Sequence, residues 1–125
     1  MTVVYDAGLL IAAQRNDRDV WAAHRVRLEA GIVPITTAPV AAQVIRSPRQ
    51  VQLRRLLRGC DIVAFEPDQA ERVGSLLAGA KTSDVVGAHV VLTAAKTGSV
   101  VITSDVEDLE QLCKALSRPV PIRRV

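Results

Sequence analysis

A chain of 125 residues is long enough to bury a real core and is expected to form one domain, residues 1–125. Its 49% hydrophobic content comes mostly from Ala, Val and Leu, and one Phe, one Trp and one Tyr leave little aromatic surface for stacking bases. The net charge is +3, no segment stays apolar for the roughly 18 residues a membrane helix requires, and the N-terminus lacks the basic start and cleavage site of a signal peptide.

Thr2-Val3-Val4-Tyr5 is a β-branched run and predicts a buried strand ending at Asp6. Ala7 to Ala13 reads as a short helix that Asp6 is placed to cap. Asn16-Asp17-Arg18-Asp19 breaks the pattern and starts a second helix, Val20 to about Ala30, with Gly31 as its stop. Ile32-Val33-Pro34-Ile35 is the next predicted strand, its proline suiting an edge or a strand start. Thr36-Thr37-Ala38-Pro39 follows as a strand-to-helix turn, with Pro39 in the first helical turn. The helix Val40 to Ile45 is interrupted near Ser47-Pro48. From Arg49 to Arg58, apolar Val51, Leu53, Leu56 and Leu57 are expected to face in and the arginines largely out. Ile62 to Phe65 predicts a third strand, and Pro67 to Leu77 a helix closed by Gly79. Thr82-Ser83-Asp84 then opens an apolar helix that Gly98 stops. Val100-Val101-Ile102 is a short buried strand running into Thr103-Ser104-Asp105. A final helix from about Val106 to Leu116 and an edge strand at Val120-Pro121-Ile122 complete the chain.

Strands alternating with helices predict a three-layer α/β/α sandwich around a mostly parallel sheet. In such sheets ligands bind beyond the carboxyl ends of the strands, near a switch in strand order. Asp6 and Asp105 both fall at a predicted strand end, and Asp84 opens a helix, so three carboxylates can converge on one point. Each also has a simpler role. Asp6 can cap the helix after it, worth about 1 kcal/mol. Ser104 or Asp105 can cap the last helix, and Asp84 can be a first-turn acid with Ser83 as the cap. Together they are a candidate site for Mg²⁺ or Mn²⁺, hard cations that take oxygen ligands and activate water for phosphoryl chemistry. Asp108, one turn after Asp105, is a candidate fourth carboxylate, and Thr103 or Ser104 can orient a phosphate.

A basic surface facing an acidic site is what a phosphodiester enzyme needs, and Arg46, Arg49, Arg54, Arg55 and Arg58 cluster in one segment. A solvated helix face would read the same way. His24 and His89 lie inside helical patterns without ligand spacing and read as surface or core. Cys60 and Cys113 are isolated thiols, expected to be reduced in a cytoplasmic protein, with a disulfide left open. There is no G-x-S-x-G elbow, P-loop or dinucleotide glycine fingerprint.

Val4-Tyr5-Asp6-Ala7-Gly8-Leu9-Leu10-Ile11, Ala38-Pro39-Val40-Ala41-Ala42-Gln43-Val44, Thr82 to Val91 and Val101-Ile102-Thr103-Ser104-Asp105 resemble, in order and spacing, the blocks of a PIN domain. More narrowly they resemble the small bacterial VapC-type toxins, including a group common in actinobacteria. The resemblance implies an Mg²⁺- or Mn²⁺-dependent endoribonuclease, a homodimer, and a cognate antitoxin. It assigns Asp6 and Asp105 to the metal, with Asp84 and Asp108 assisting. Arg46, Arg49, Arg54, Arg55, Thr103 and Ser104 are the candidate RNA contacts. Two positions depart from the pattern: Gln43 stands where the second acid is expected and Gly87 where the third is. Gln43 offers an oxygen without charge, and Gly87 offers no ligand.

Two functions from different classes follow. One is a metal-dependent ribonuclease toxin, weakened by the missing acids. The other is a catalytically silent PIN domain that binds RNA or an antitoxin-like partner. A receiver-like regulatory domain also places acids at strand ends, but it needs a lysine late in the sheet, and no Lys follows a late strand here.

Overall fold

The computed structural model describes residues 2–125, and its frame is a parallel sheet assembled from the β-branched runs. Central β1 (Val3–Tyr5) pairs with β2 (Ile35–Thr37) on one side and β4 (Val100–Thr103) on the other. The edges are β3 (Asp61–Val63) and β5 (Ile122–Arg124), giving the order β3-β2-β1-β4-β5 with every pairing parallel.

Parallel neighbours need crossover connections, and these are almost always right-handed. From β1 to β3 the chain steps outward in one direction. This puts α1 (Ala7–Gln14), α2 (Arg18–Glu29), α3 (Ala38–Val44) and α4 (Val51–Arg58) together on one face. The chain then crosses back to β4 and β5, stepping the other way, so α5 (Gln69–Ala80), α6 (Val85–Thr97) and α7 (Val106–Lys114) cover the opposite face. The result is the expected α/β/α sandwich. Strand order reverses between β1 and β4, and that is where the fold leaves a crevice.

The core fills the space between sheet and helices with Val4, Tyr5, Leu10, Leu53, Leu56, Val91, Val101 and Leu112, all fully buried. Two histidines belong to it. The Tyr5 hydroxyl meets His24 Nδ1 at 2.9 Å, and His89 packs on Phe65 with ring centroids 4.8 Å apart. Burial holds both imidazoles below their ordinary pKa, so both are core groups and neither reaches the acidic crevice.

Several boundaries differ from the sequence expectation. The second strand is not Ile32 to Ile35 but Ile35–Thr37, because Pro34 cannot donate to a ladder and pairing starts after it. Thr36 and Thr37, expected in a turn, are buried strand residues. Thr36 donates to the Tyr5 carbonyl at 2.9 Å, and Thr37 caps α3 by accepting from the Val40 amide at 3.1 Å. The third strand begins at Asp61, and the terminal one is shifted to Ile122–Arg124. Helix α5 runs through Gly79 and ends where Lys81 turns left-handed at φ 58°, with the Thr82 amide bonded back to the Leu77 carbonyl. Val51 points out rather than in, at 61% exposure, while Leu53, Leu56 and Leu57 are buried as expected.

Candidate active site at the strand switch point

Adjacent strands β1 and β4 pair Tyr5 with Ile102, so their next residues, Asp6 and Thr103, emerge side by side. The Asp6 amide donates to the Ile102 carbonyl at 3.0 Å, extending the ladder by one bond. Thr103 then uses its hydroxyl twice. It donates to Asp6 Oδ2 at 2.7 Å and accepts from the Asp105 amide at 2.9 Å. One buried hydroxyl therefore fixes the Asp6 carboxylate and the backbone that carries Asp105.

Asp6 is 6% exposed, and its side chain makes no capping bond to α1, so the helix-cap role is not the one it plays. Desolvation raises its pKa above the ordinary carboxylate value. The Thr103 hydroxyl and the Ala7 amide pull the other way, and the negative charges of Asp105 and Asp84 add to the rise. A group whose pKa is raised on folding contributes most stability below its unfolded pKa and loses that contribution as pH rises through the folded one. Asp6→Asn is therefore expected to be more stable than the parent at pH 7 by about 1 kcal/mol, and the gain should vanish as pH falls below the carboxylate range. Thermal denaturation across pH checks this.

Asp84 is the N-cap of α6, not a first-turn acid. Its Oδ1 accepts from the Gly87 amide at 2.9 Å. Its carboxylate also occupies the space beside Gly87. A Cβ on residue 87 would overlap Asp84 Oδ2 and stand 2.8 Å from Asp84 Cγ. Asp105 begins α7 without a side-chain cap bond, which leaves its carboxylate free. Asp6, Gln43, Asp84 and Asp105 line one cavity of about 70 Å³, together with Ala7, Val86, Gly87 and Leu109. Asp108 does not line it, being turned outward on the first turn of α7.

The donors around this cavity are all oxygens, which suits a hard cation in kind. The raised Asp6 pKa is the electrostatic strain such a cation would relieve. Yet among the described residues no three His, Cys, Asp or Glu side chains stand close enough to form a ready-made metal group. Asp84, although it lines the cavity, has one carboxylate oxygen committed to the amide of Gly87.

The expected RNA contacts scatter. Arg46 folds onto the Ala42 and Ile45 carbonyls at 2.9 and 2.8 Å, and Arg54 onto the Ser47 carbonyl at 3.2 Å, so both tie down the loop after α3. Arg49 is exposed, and Arg55 lies over the Trp21 ring, 5.0 Å from its centroid. Thr103 is fully buried and supports Asp6 instead of facing a phosphate, whereas Ser104 is exposed beside the cavity residues. Gly8 also shapes the site, although a lone glycine carries no chemical signal in a sequence. A Cβ there would stand 2.7 Å from Ser104 Cβ and 3.0 Å from its backbone nitrogen, so only glycine lets α1 close on the turn carrying Asp105.

No protein-family model and no curated protein matches this chain. Solved structures do. A chain in the structure of FitAB bound to an IR36 DNA fragment superimposes with a TM-score of 0.65 at 15% identity, covering 98% of this chain and 94% of that one. PAE2754 from Pyrobaculum aerophilum superimposes with a TM-score of 0.61 at 13% identity, covering 97% of this chain and 83% of that one. The fold is PIN-like. At these identities the likeness concerns the fold alone, and the PIN-like crevice of this chain has to be read from its own residues. No described helix is long and apolar enough to cross a membrane.

Proposed function

We propose that this PIN-like domain is a divalent-cation-dependent endoribonuclease of the VapC type, the toxin of a toxin–antitoxin pair. The observation that carries the reading is the meeting of Asp6, Asp84 and Asp105 with Gln43 around one cavity at the strand switch point. Asp6 and Asp105 would hold Mg²⁺ or Mn²⁺, Gln43 would offer a neutral oxygen, and Asp84 would assist once released from its cap. A bound cation of this kind polarises a phosphoryl oxygen and lowers the pKa of a water. The chain's own part is to keep Asp6 oriented through Thr103, to leave the Asp105 carboxylate unpaired, and to present basic groups to the RNA backbone. A cognate antitoxin and a homodimer are part of the proposal, the former supported by the fold-level likeness to a chain of FitAB.

Incubating the protein with structured RNAs and Mn²⁺, beside Gly87→Asp, tests it. An acid at 87 must displace the Asp84 carboxylate, and it returns a charge to the cavity wall. Cleavage and Mn²⁺ affinity are expected to rise about tenfold or more in the variant, the equivalent of about 1.4 kcal/mol. No cleavage by either protein would sink the enzymatic reading.

A second reading is favoured by one observation, the absence of a ready-made group of three metal-binding side chains. In it the domain binds RNA or an antitoxin-like partner without catalysis. Binding would then be independent of metal and survive Asp6→Ala, and its loss on chelation would count against this reading.

A further inference from the structure

A second concave site lies away from the acidic crevice, between α2 and α4, and the crevice chemistry does not use it. Arg25, Arg55 and Arg58 line a cavity of about 390 Å³ with Trp21, His24 and Gly59. All three arginines are exposed. None has a carboxylate within salt-bridge range, since the one such pair among the described residues is Arg124 with Glu107. Three guanidiniums gathered without a counter-charge repel one another unless an anion joins them.

The floor of the cavity points the same way. Arg27, which can only donate, gives a hydrogen bond to the Tyr5 hydroxyl at 3.0 Å. With one lone pair taken by Arg27, that hydroxyl has its own proton to donate to His24 Nδ1, 2.9 Å away, and this is the tautomer that leaves Nε2 protonated. With Nδ1 accepting, a neutral His24 carries its proton on Nε2, which has no hydrogen-bond partner among the described residues. His24 is 3% exposed as a whole, but its Nε2, unlike both ring nitrogens of His89, is not sealed from solvent, so it is the edge of the ring that can be reached from the cavity. Burial and the nearby Arg27 charge keep the ring neutral. Gly59 is what uncovers it. Its backbone is ordinary helical, at φ −88°, so glycine is not needed for conformation, but a Cβ would stand 3.1 Å from His24 Nε2.

We propose that this cavity binds a phosphate group of RNA, with Arg25, Arg55 and Arg58 around the phosphate oxygens and His24 Nε2–H donating from below. Guanidinium forks match phosphate oxygens in pairs, and a terminal phosphate, with close to two negative charges, suits three of them better than a lone carboxylate does. The Trp21 ring already carries Arg55 on one face and meets His24 edge-on at 5.8 Å, so it forms a wall and not a platform for a base. From the function proposed above, this takes only that the polymer is RNA; no hydrolysis at the crevice is required.

Trp21 is the one tryptophan of the chain, so its fluorescence reports on this cavity selectively. Inorganic phosphate, a 5′-phosphorylated short RNA and the same RNA with a 5′-hydroxyl are titrated against it. Phosphate should shift the emission saturably, and the phosphorylated RNA should bind about tenfold tighter than its hydroxyl twin. Arg58→Gln, an exposed change that leaves the core alone, and Gly59→Ala should each weaken binding by about tenfold, while Asp105→Asn should leave it unchanged. Retained affinity in Arg58→Gln, no response to either phosphate or phosphorylated RNA, or tighter binding of an oligoglutamate peptide would overturn the assignment. Since Asp105→Asn separates crevice from cavity, failure here is distinguishable from failure of the nuclease reading.

Discussion

Gly8→Ala is expected to lower stability by about 1–3 kcal/mol and to abolish any cation response of the crevice. The methyl has nowhere to go. It would meet Ser104 through both its side chain and its backbone nitrogen, and backbone cannot swing aside as a side chain can. Relief requires α1 to part from the turn between β4 and α7, which carries Asp6 away from Asp105. Helix propensity works the other way, favouring Ala over Gly by about 1 kcal/mol, so a net loss would show that the packing term wins. Gly74→Ala is the control. Gly74 sits inside α5 with open space around its Cα, so there the propensity gain should appear alone. Thermal unfolding of both variants, with and without Mn²⁺, checks the pair.

Thr103→Val is the second change with a large expected effect. Valine matches threonine in shape, so packing is kept and the hydroxyl alone is lost. Two groups are stranded at once: the Asp6 carboxylate loses the donor at 2.7 Å, and the Asp105 amide loses its acceptor at 2.9 Å. Leaving such partners unsatisfied costs about 2–3 kcal/mol. The pKa of Asp6 should climb further, because desolvation would remain while one of the groups opposing it is gone. Stability is measured by denaturant unfolding, and the Asp6 titration by carboxyl-carbon chemical shifts in both proteins. An unchanged Asp6 titration would mean that the Thr103 hydroxyl does not hold that carboxylate.

Much of the crevice was legible from β-branched runs followed by acids. Val3-Val4-Tyr5 and Val100-Val101-Ile102 announce buried strands, and an acid just beyond such a strand has few places to be except the carboxyl edge of the sheet. Other features depend on partners far along the chain. Thr36 reads as a turn residue because it is polar, and it can be buried only because the Tyr5 carbonyl, 31 positions away, accepts its proton. Thr103 reads as a phosphate contact for the same reason, and it turns inward because Asp6 waits there. The arginines of residues 46–58 read as one basic face. Their destinations are set by whichever carbonyl or ring lies nearest, so Arg46 and Arg54 brace a loop while Arg55 joins a different cavity. Gly87 looked like a plain gap in a row of acids. Its surroundings make it more specific, because Asp84 leans into the space that a side chain at 87 would take.

The most direct test of the nuclease reading is Mn²⁺ uptake followed by the loss of the free-ion EPR signal, with RNA cleavage measured in the same samples. The parent protein is expected to take up Mn²⁺ and cleave RNA, and Asp105→Asn to lose both. Cleavage that persists in Asp105→Asn or under chelation, or a parent protein that takes up no Mn²⁺, would contradict that reading.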